Sequence, residues 1–269
     1  MARTMQVHST AQIESSAEIG EDVEIGPDVY IGPNTVIGDN CQIGKGAYIE
    51  EHTRMGENNV LYPYVVLGTG PQDLKYHGEE THLVIGESNV FREFVTINRG
   101  TANARGVTRI GDRNFLMIHS HIGHDCIVED ETILVNNVQI GGHCHIEDGA
   151  KLMGSTAVNP FVTVGKMSYT GGMTRVVRDV PPYMIMEGNP AKVRGVNEVG
   201  LRRAGYDQEK IDKLAETYKS IYRTKELNRN KIFDRIEEDE DTTEEVRYLV
   251  RFLRRSLQGR HGRYRESLR

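Results

Sequence analysis

The chain has 269 residues, 38% of them apolar, with 33 Lys and Arg against 39 Asp and Glu (a formal charge of −6), three cysteines and no tryptophan. That length buries a sizeable core unaided, which excludes disorder and a cysteine-stapled miniature, and three cysteines with no CxxC spacing suit neither a disulfide framework nor a thiolate metal site. No apolar run approaches the roughly 18 residues of a membrane span and the first residues lack a secretory apolar stretch, so a cytoplasmic protein is expected; the negative charge argues against nonspecific nucleic-acid binding.

The first element along the chain is a repeat of period six. Aliphatic or similar residues stand at Val7, Ile13, Ile19, Ile25, Ile31, Ile37, Ile43, Ile49, Met55, Leu61 and Leu67. Four residues after each comes a mostly small or β-branched one, such as Ala11, Val23, Thr35, Cys41 and Ala47, with Asn59 the exception. A helix returns apolar residues every three or four positions and a strand every two, so a strict six fits neither. It fits a solenoid with flat sides, in which each hexad forms one side of a triangular 18-residue coil and both positions point inward. Glycine often follows the head, as in Ile19-Gly20 and Ile31-Gly32, where it is expected to permit corner angles that a Cβ opposes. The frame returns at Ile85, Phe91 and Ile97 and again from Ile110 to Val164, giving about eight coils and a prism on the order of 40 Å long. Cys126 and Cys144 fall in the same small slot as Cys41. The frame breaks near 71–84 and 101–109, which are expected to loop out; excursions on a rigid repeat commonly carry binding groups.

Asp179-Val180-Pro181-Pro182-Tyr183 and Gly188-Asn189-Pro190 read as the end of the prism, so residues 1–197 form the repeat domain and 198–269 a helical one. Ile211, Leu214, Tyr218, Ile221 and Tyr222 share one helical face behind an N-cap at Asp207, and Val246, Leu249, Val250 and Leu253 mark a second helix introduced by Asp241–Glu245. The acidic run Glu237–Asp241 between them reads as a solvated loop and helix start.

Five of the ten histidines crowd together at His119, His121, His124, His143 and His145. Such a cluster can bind metal, supply a general base near neutral pH, or decorate a polar face. His124 follows Ile122 by two and His143 follows Ile140 by three, so neither takes an inward slot. Nineteen residues apart, they belong on adjacent coils near one edge. With Asp125 beside His124, the pair favours function.

The hexad pattern resembles the hexapeptide-repeat acyltransferases. More closely, Gln72–Tyr76, Arg92–Gly100, His121–Asp125, Asp179–Tyr183, Gly195–Asn197 and the late Phe252–Ser256 resemble the UDP-N-acetylglucosamine O-acyltransferase family, over nearly the whole chain. The resemblance implies an all-β solenoid, a left-handed parallel β-helix, followed by a small α-helical C-terminal domain. Parallel crossovers are ordinarily right-handed, so handedness comes from the resemblance alone, as does a homotrimer with sites between neighbouring prisms. It also implies transfer of an (R)-3-hydroxyacyl group from acyl carrier protein to the 3-hydroxyl of UDP-N-acetylglucosamine, the first step of lipid A synthesis. The acyl group rides on the carrier's phosphopantetheine, and neither metal nor other cofactor is implied. A hydroxyl is a poor nucleophile until a base takes its proton. His124 matches the family's base, Asp125 is placed to support it, and the Gly142 N–H matches the oxyanion donor. Asp73, Leu74, Lys75, His121, His143, Asn197 and Arg203 map to substrate contacts, with Lys75 and Arg203 offsetting diphosphate charge. Gly172 matches the position that limits acyl length, and its missing side chain predicts a longer acyl group. Asn98, Asn159-Pro160, Val199 and Ala204 depart from the family pattern and bear on nucleotide contacts more than on the base.

Alternatives to this reading are N-acyl transfer to a 3-amino UDP-sugar, a γ-type carbonic anhydrase holding metal through histidines such as His119, His121 and His124, an acetyl-CoA-dependent sugar acetyltransferase, and a silent binding trimer. Seven arginines from Arg251 to Arg269 concentrate positive charge at the C-terminus, where either carrier docking or an ordinary solvated tail is expected.

Overall fold

The computed structural model describes residues 6–226 and 228–268. Most strands are two residues long and pair in parallel with the strand 18 residues on, Gln6 with Glu24, Gln12 with Tyr30 and Glu18 with Val36. Three hydrogen-bonded ladders result, sheets of 11, nine and eight strands that form the sides of a triangular prism. The fold is a left-handed parallel β-helix with helices at its C-terminal end. Strands this short carry little of the twist that makes longer crossovers right-handed.

The heads fill the prism: Ile25, Ile31, Ile37, Leu61, Leu116, Leu134 and Ile146 are among those buried. The first described coil has no coil beneath it, so Val7 stays exposed and Ile13 and Ile19 are only partly covered. The prism is longer than eight coils, because Thr170 and Val176 continue the frame past Val164 and the largest sheet holds ten parallel strands before a closing antiparallel one. Threonine as a head hides that continuation from an aliphatic count. Asn59, the exception in the small slot, starts an internal ladder. Its Oδ1 accepts from the Asn89 side chain at 3.0 Å, Asn89 Oδ1 accepts from the Asn114 N–H at 2.8 Å, and Asn114 Oδ1 accepts from the Thr132 hydroxyl at 2.7 Å. Each amide sits in the same slot one coil apart, which satisfies most of the buried polar groups, Asn114 Nδ2 excepted.

The corners correct the expectation for glycine. Left-handed backbone falls three residues after the head, at Asp22, Asp28, Asn34 and Asn40 with φ of 54° to 57°, not at the glycine that follows it. Asp and Asn tolerate that region better than most residues. The glycines answer to coil spacing instead: a Cβ on Gly38 would lie 2.6 Å from the Gly56 carbonyl carbon, and one on Gly32 would lie 2.8 Å from the Glu51 nitrogen.

Both excursions leave the same corner, between the nine- and eight-stranded sheets. Val60 pairs with Val90 and Val90 with Phe115, so the coil repeat stretches from 18 to 30 and then 25 residues. The loops close earlier than the broken hexad frame suggests. Strands His82–Ile85 and Val107–Ile110 run side by side, His82 opposite Val107, and draw residues expected in loops into the sheet.

Beyond Asn197 come four helices, α1 (Glu198–Arg203), α2 (Gln208–Tyr222), α3 (Arg229–Glu238) and α4 (Glu244–Gln258). Asp207 stands at the α2 N-cap position without a side-chain capping bond, whereas Thr243 caps α4 through its hydroxyl. Helix α3 was not expected: with only Ile232, Phe233 and Ile236 apolar, its stripe is too sparse to read. It absorbs Glu237 and Glu238 from the acidic run, and Glu237 pairs with Arg254 of α4. The buried faces of α2 and α4 meet Met167, Tyr183 and Met184 of the last coils in a second core.

Candidate active site

The corner that releases both loops continues toward the C-terminus as Asp125, His143, Phe161 and Asp179, each 18 residues from the last. Asp125, His143 and Phe161 have left-handed backbone, φ 59°, 63° and 68°. At such a corner consecutive side chains converge, which is how His124 and Asp125, adjacent in sequence, come into contact. His124 Nδ1 lies 2.8 Å from Asp125 Oδ2. The carboxylate is buried and also accepts from the Thr101 hydroxyl at 2.7 Å and the Thr101 N–H at 3.1 Å, while the Asp125 N–H donates to Thr108 Oγ1 at 2.8 Å. Burial pushes the Asp125 carboxyl upward, but the bonds from His124 and Thr101 outweigh it and hold the pKa below the ordinary value.

A carboxylate only accepts, so it fixes the proton of neutral His124 on Nδ1 and leaves the Nε2 lone pair available. That nitrogen faces Gly142: a Cβ there would lie 2.7 Å from Nε2. The Gly142 N–H makes no hydrogen bond among the described residues. The His143 ring stands edge-on to His124, centroids 4.9 Å apart, and lies flat on Phe161 at 4.4 Å. Its Nδ1 is 3.9 Å from Asp125 Oδ2. His121, on the neighbouring strand, bonds Thr96 Oγ1 through Nδ1 at 2.8 Å; burial and the nearby His124 lower its pKa, which keeps it neutral at pH 7.

Asp125 and His143 open onto a cleft of about 560 Å³ that is also lined by Asp73 and Lys75 of the first loop, Thr101, Asn103 and Arg105 of the second, and Phe161. Leu74 between the two first-loop residues is fully exposed. The first loop is tied at its root by Asn98, whose Nδ2 donates to Thr69 Oγ1 and the Gly70 carbonyl, each at 3.0 Å, and by buried Arg99, which donates to the Tyr76 hydroxyl at 2.9 Å and to Glu51 at 3.1 Å. Asn98, a departure at the level of sequence, here holds a loop.

Other expected residues lie elsewhere on this chain. Asn197 caps α1, its Oδ1 accepting from the Gly200 N–H and its Nδ2 donating to the Met167 carbonyl at 2.9 Å. Arg203 is exposed in the last turn of α1. Gly172 is exposed on a different corner beside Met173, and a Cβ there would come no nearer than 3.4 Å to the Gly154 carbonyl oxygen. Asn159 lines a separate groove, and Pro160, Val199 and Ala204 are exposed.

His119, His121 and His124 diverge within the chain: His119 stacks on Phe94 at another corner, His121 sits on a strand, and His124 pairs with Asp125. Among the described residues two other groups bring ligand atoms within 4.8 Å of one another, His124, Asp125 and His143 here, and His52, Glu80 and His82 at the first loop's root.

The arginine-rich C-terminus is not simply a solvated tail. Arg254 pairs with Asp234 and Glu237, Arg251 with Glu244 and Arg263 with Glu266. The 3-10 helix Tyr264–Leu268 lies along the Asp179 to His143 corner, where Arg265 Nε donates to the His143 carbonyl at 2.9 Å. Arg269 lies outside the described residues. Sequence reading missed Thr101, Thr108, Phe161 and Arg265. Phe161 and Asp179 are legible from the 18-residue ladder, whereas Arg265 has no local signal.

Comparison with known proteins bears on these features. Residues 179–261 match the family described as UDP N-acetylglucosamine O-acyltransferase, domain 2, and residues 4–38 and 34–69 match the bacterial transferase hexapeptide repeats. The acyl-carrier-protein–UDP-N-acetylglucosamine O-acyltransferase of Verminephrobacter eiseniae is 44% identical over 175 residues, 65% of this chain and 67% of the relative. That of Synechocystis is 45% identical over 127 residues, so the chain spans about half the length of that curated relative, 46%. Solved UDP-N-acetylglucosamine acyltransferases align further. The Bacteroides fragilis structure is 38% identical with a TM-score of 0.90, covering 93% of this chain and 97% of the other. The Francisella novicida structure is 35% identical with a TM-score of 0.88, covering 92% and 91%.

Proposed function

The chain belongs to the UDP-N-acetylglucosamine O-acyltransferase family, and we propose that it transfers an (R)-3-hydroxyacyl group from acyl carrier protein to the 3-hydroxyl of UDP-N-acetylglucosamine, the first step of lipid A biosynthesis. The observation that supports this reading most is the His124–Asp125 pair, with Nε2 against Gly142, beside a cleft flanked by both loops.

In the proposed step His124 Nε2 takes the proton of the sugar hydroxyl as its oxygen attacks the thioester carbonyl carbon. Asp125, kept ionised, balances the imidazolium. The Gly142 N–H receives the oxyanion of the tetrahedral intermediate, worth about 2.7–4 kcal/mol for one such donor elsewhere. Collapse breaks the carbon–sulfur bond, and the leaving thiolate takes the proton back from Nε2–H. Atoms and charge balance without a metal or a redox cofactor. His143, Asp73, Leu74, Lys75 and His121 contact the substrates, and Gly172 leaves room for a long acyl chain.

The proposed assembly is a cytoplasmic homotrimer with sites between prisms. Asn197 then acts through the α1 terminus it caps, and exposed Arg203 reaches substrate across the interface. The test is transfer by purified protein in chelator, from carrier-bound 3-hydroxyacyl groups of several lengths, to UDP-N-acetylglucosamine and in parallel to its 3-amino analogue. An O-acylated product supports the reading; product from the amino sugar alone moves it to amide formation.

A further inference from the structure

The C-terminal 3-10 helix is built into the cleft. Its anchor is the last rung of the active corner. Buried Asp179 accepts from the Tyr264 N–H at 3.0 Å, the Asp179 N–H donates to the Gly262 carbonyl at 2.8 Å, and Arg263 donates to the Val177 carbonyl at 2.8 Å. Gly259 makes this return possible, since a Cβ there would lie 2.4 Å from the Arg263 carbonyl carbon. From that anchor the chain reaches His143, and Arg265 and Leu268 join Phe161 in lining the cleft.

The cleft therefore gathers Lys75 from the first loop, Arg105 from the second and Arg265 from the C-terminus. None of the three forms an ion pair among the described residues. The two cleft carboxylates are engaged otherwise, Asp125 by His124 and Thr101, and Asp73 by the Lys75 N–H at 3.0 Å. Burial, reinforced by the nearby Arg105 charge and only partly offset by Asp179, lowers the Arg265 pKa. Arginine's planar fork suits the oxygens of a phosphate, and two forks lining one cleft can share one.

We propose that Arg105 and Arg265 form a phosphate subsite, and that the C-terminal segment is a working part of the substrate cleft. This rests on the acyltransfer reading for its ligand: a phosphate ester or diphosphate, carried either by the nucleotide sugar or by the phosphopantetheine arm.

Titration calorimetry with UDP and, separately, with 4′-phosphopantetheine as probes distinguishes the two sources. Arg105→Gln and Arg265→Gln should each weaken the same one of these ligands by roughly tenfold, the effect of one charge-assisted hydrogen bond. Arg265→Lys should recover part of the loss. Because Arg265 also holds the His143 carbonyl, Arg105→Gln, at a side chain with no hydrogen bond or ion pair among the described residues, separates binding from folding. Unchanged affinity for both probes in Arg105→Gln, or wild type binding neither probe, overturns the subsite. Wild type that binds a probe with these losses but transfers no acyl group overturns the acyltransfer reading and leaves the subsite standing; turnover with unchanged affinities does the reverse.

Discussion

Asp125 shows how position at a corner becomes chemistry. The left-handed backbone there turns its carboxylate back onto the preceding His124 ring, and Thr101, reaching over from the second loop, holds it charged in a buried place. His124→Ala should lower kcat by about 10² to 10⁴, the usual worth of a positioned base, in a steady-state transfer assay; near wild-type turnover removes the base assignment. Thr101→Val should give a smaller loss in kcat than His124→Ala, because it removes one of the bonds that hold Asp125; an equal loss contradicts that supporting role. Asp179, three rungs further along, titrates differently. Burial raises its pKa to about 6, opposed by N–H groups of Thr163 and Tyr264. The folded chain holds a proton there more tightly than the unfolded chain does, so this contribution to stability is complete below about pH 4 and is lost as the pH rises through 6. Thermal melts should show wild type losing stability relative to Asp179→Asn across that window; parallel profiles contradict the shift. At this scale the sequence was legible where residues fall on the repeat. His124 and His143 could be placed on adjacent coils by counting, but the contact between His124 and Asp125 needed the corner's backbone angle, which the hexad pattern does not reveal.

The elements were legible in proportion to their periodicity. Hexads from Ile25 to Val164 mark the prism well, yet Thr170 conceals two further heads, and α3 conceals itself behind three apolar residues. Loop ends were misjudged because His82–Ile85 and Val107–Ile110 pair with each other, a tertiary contact that overrides the local pattern. The asparagine ladder shows the cost of reading one slot alone: Asn59 looks like an irregularity until Asn89 and Asn114 fall in register with it. Asn89→Leu leaves the Asn114 N–H without its acceptor, while Asn59 Oδ1 keeps the backbone N–H of residue 89 as donor, and chemical denaturation should register a loss of about 2 kcal/mol. A loss under half that would mean that the ladder is dispensable.

For the whole molecule, the single most informative feature is that both loops, the histidine pair and the C-terminal segment converge on one of three corners. Handedness is invisible to a period, which is the same for either winding. The C-terminal contribution is invisible because Arg265 lies 122 residues from the His143 it touches. Gly172 on another corner offers a test of reach. A Cβ there meets only ordinary contact at 3.4 Å and the position is exposed, so Gly172→Met should fold and shift the preferred donor to a shorter acyl chain; an unchanged preference separates that corner from the acyl path.

The most direct measurement is the chelator-treated transfer assay with mass-spectrometric readout, run on wild type and His124→Ala in parallel. O-acylated UDP-N-acetylglucosamine from wild type, reduced at least a hundredfold in the variant, is the predicted result. Equal product from both, or none from wild type with any donor length, would contradict acyl transfer by the His124–Asp125 pair.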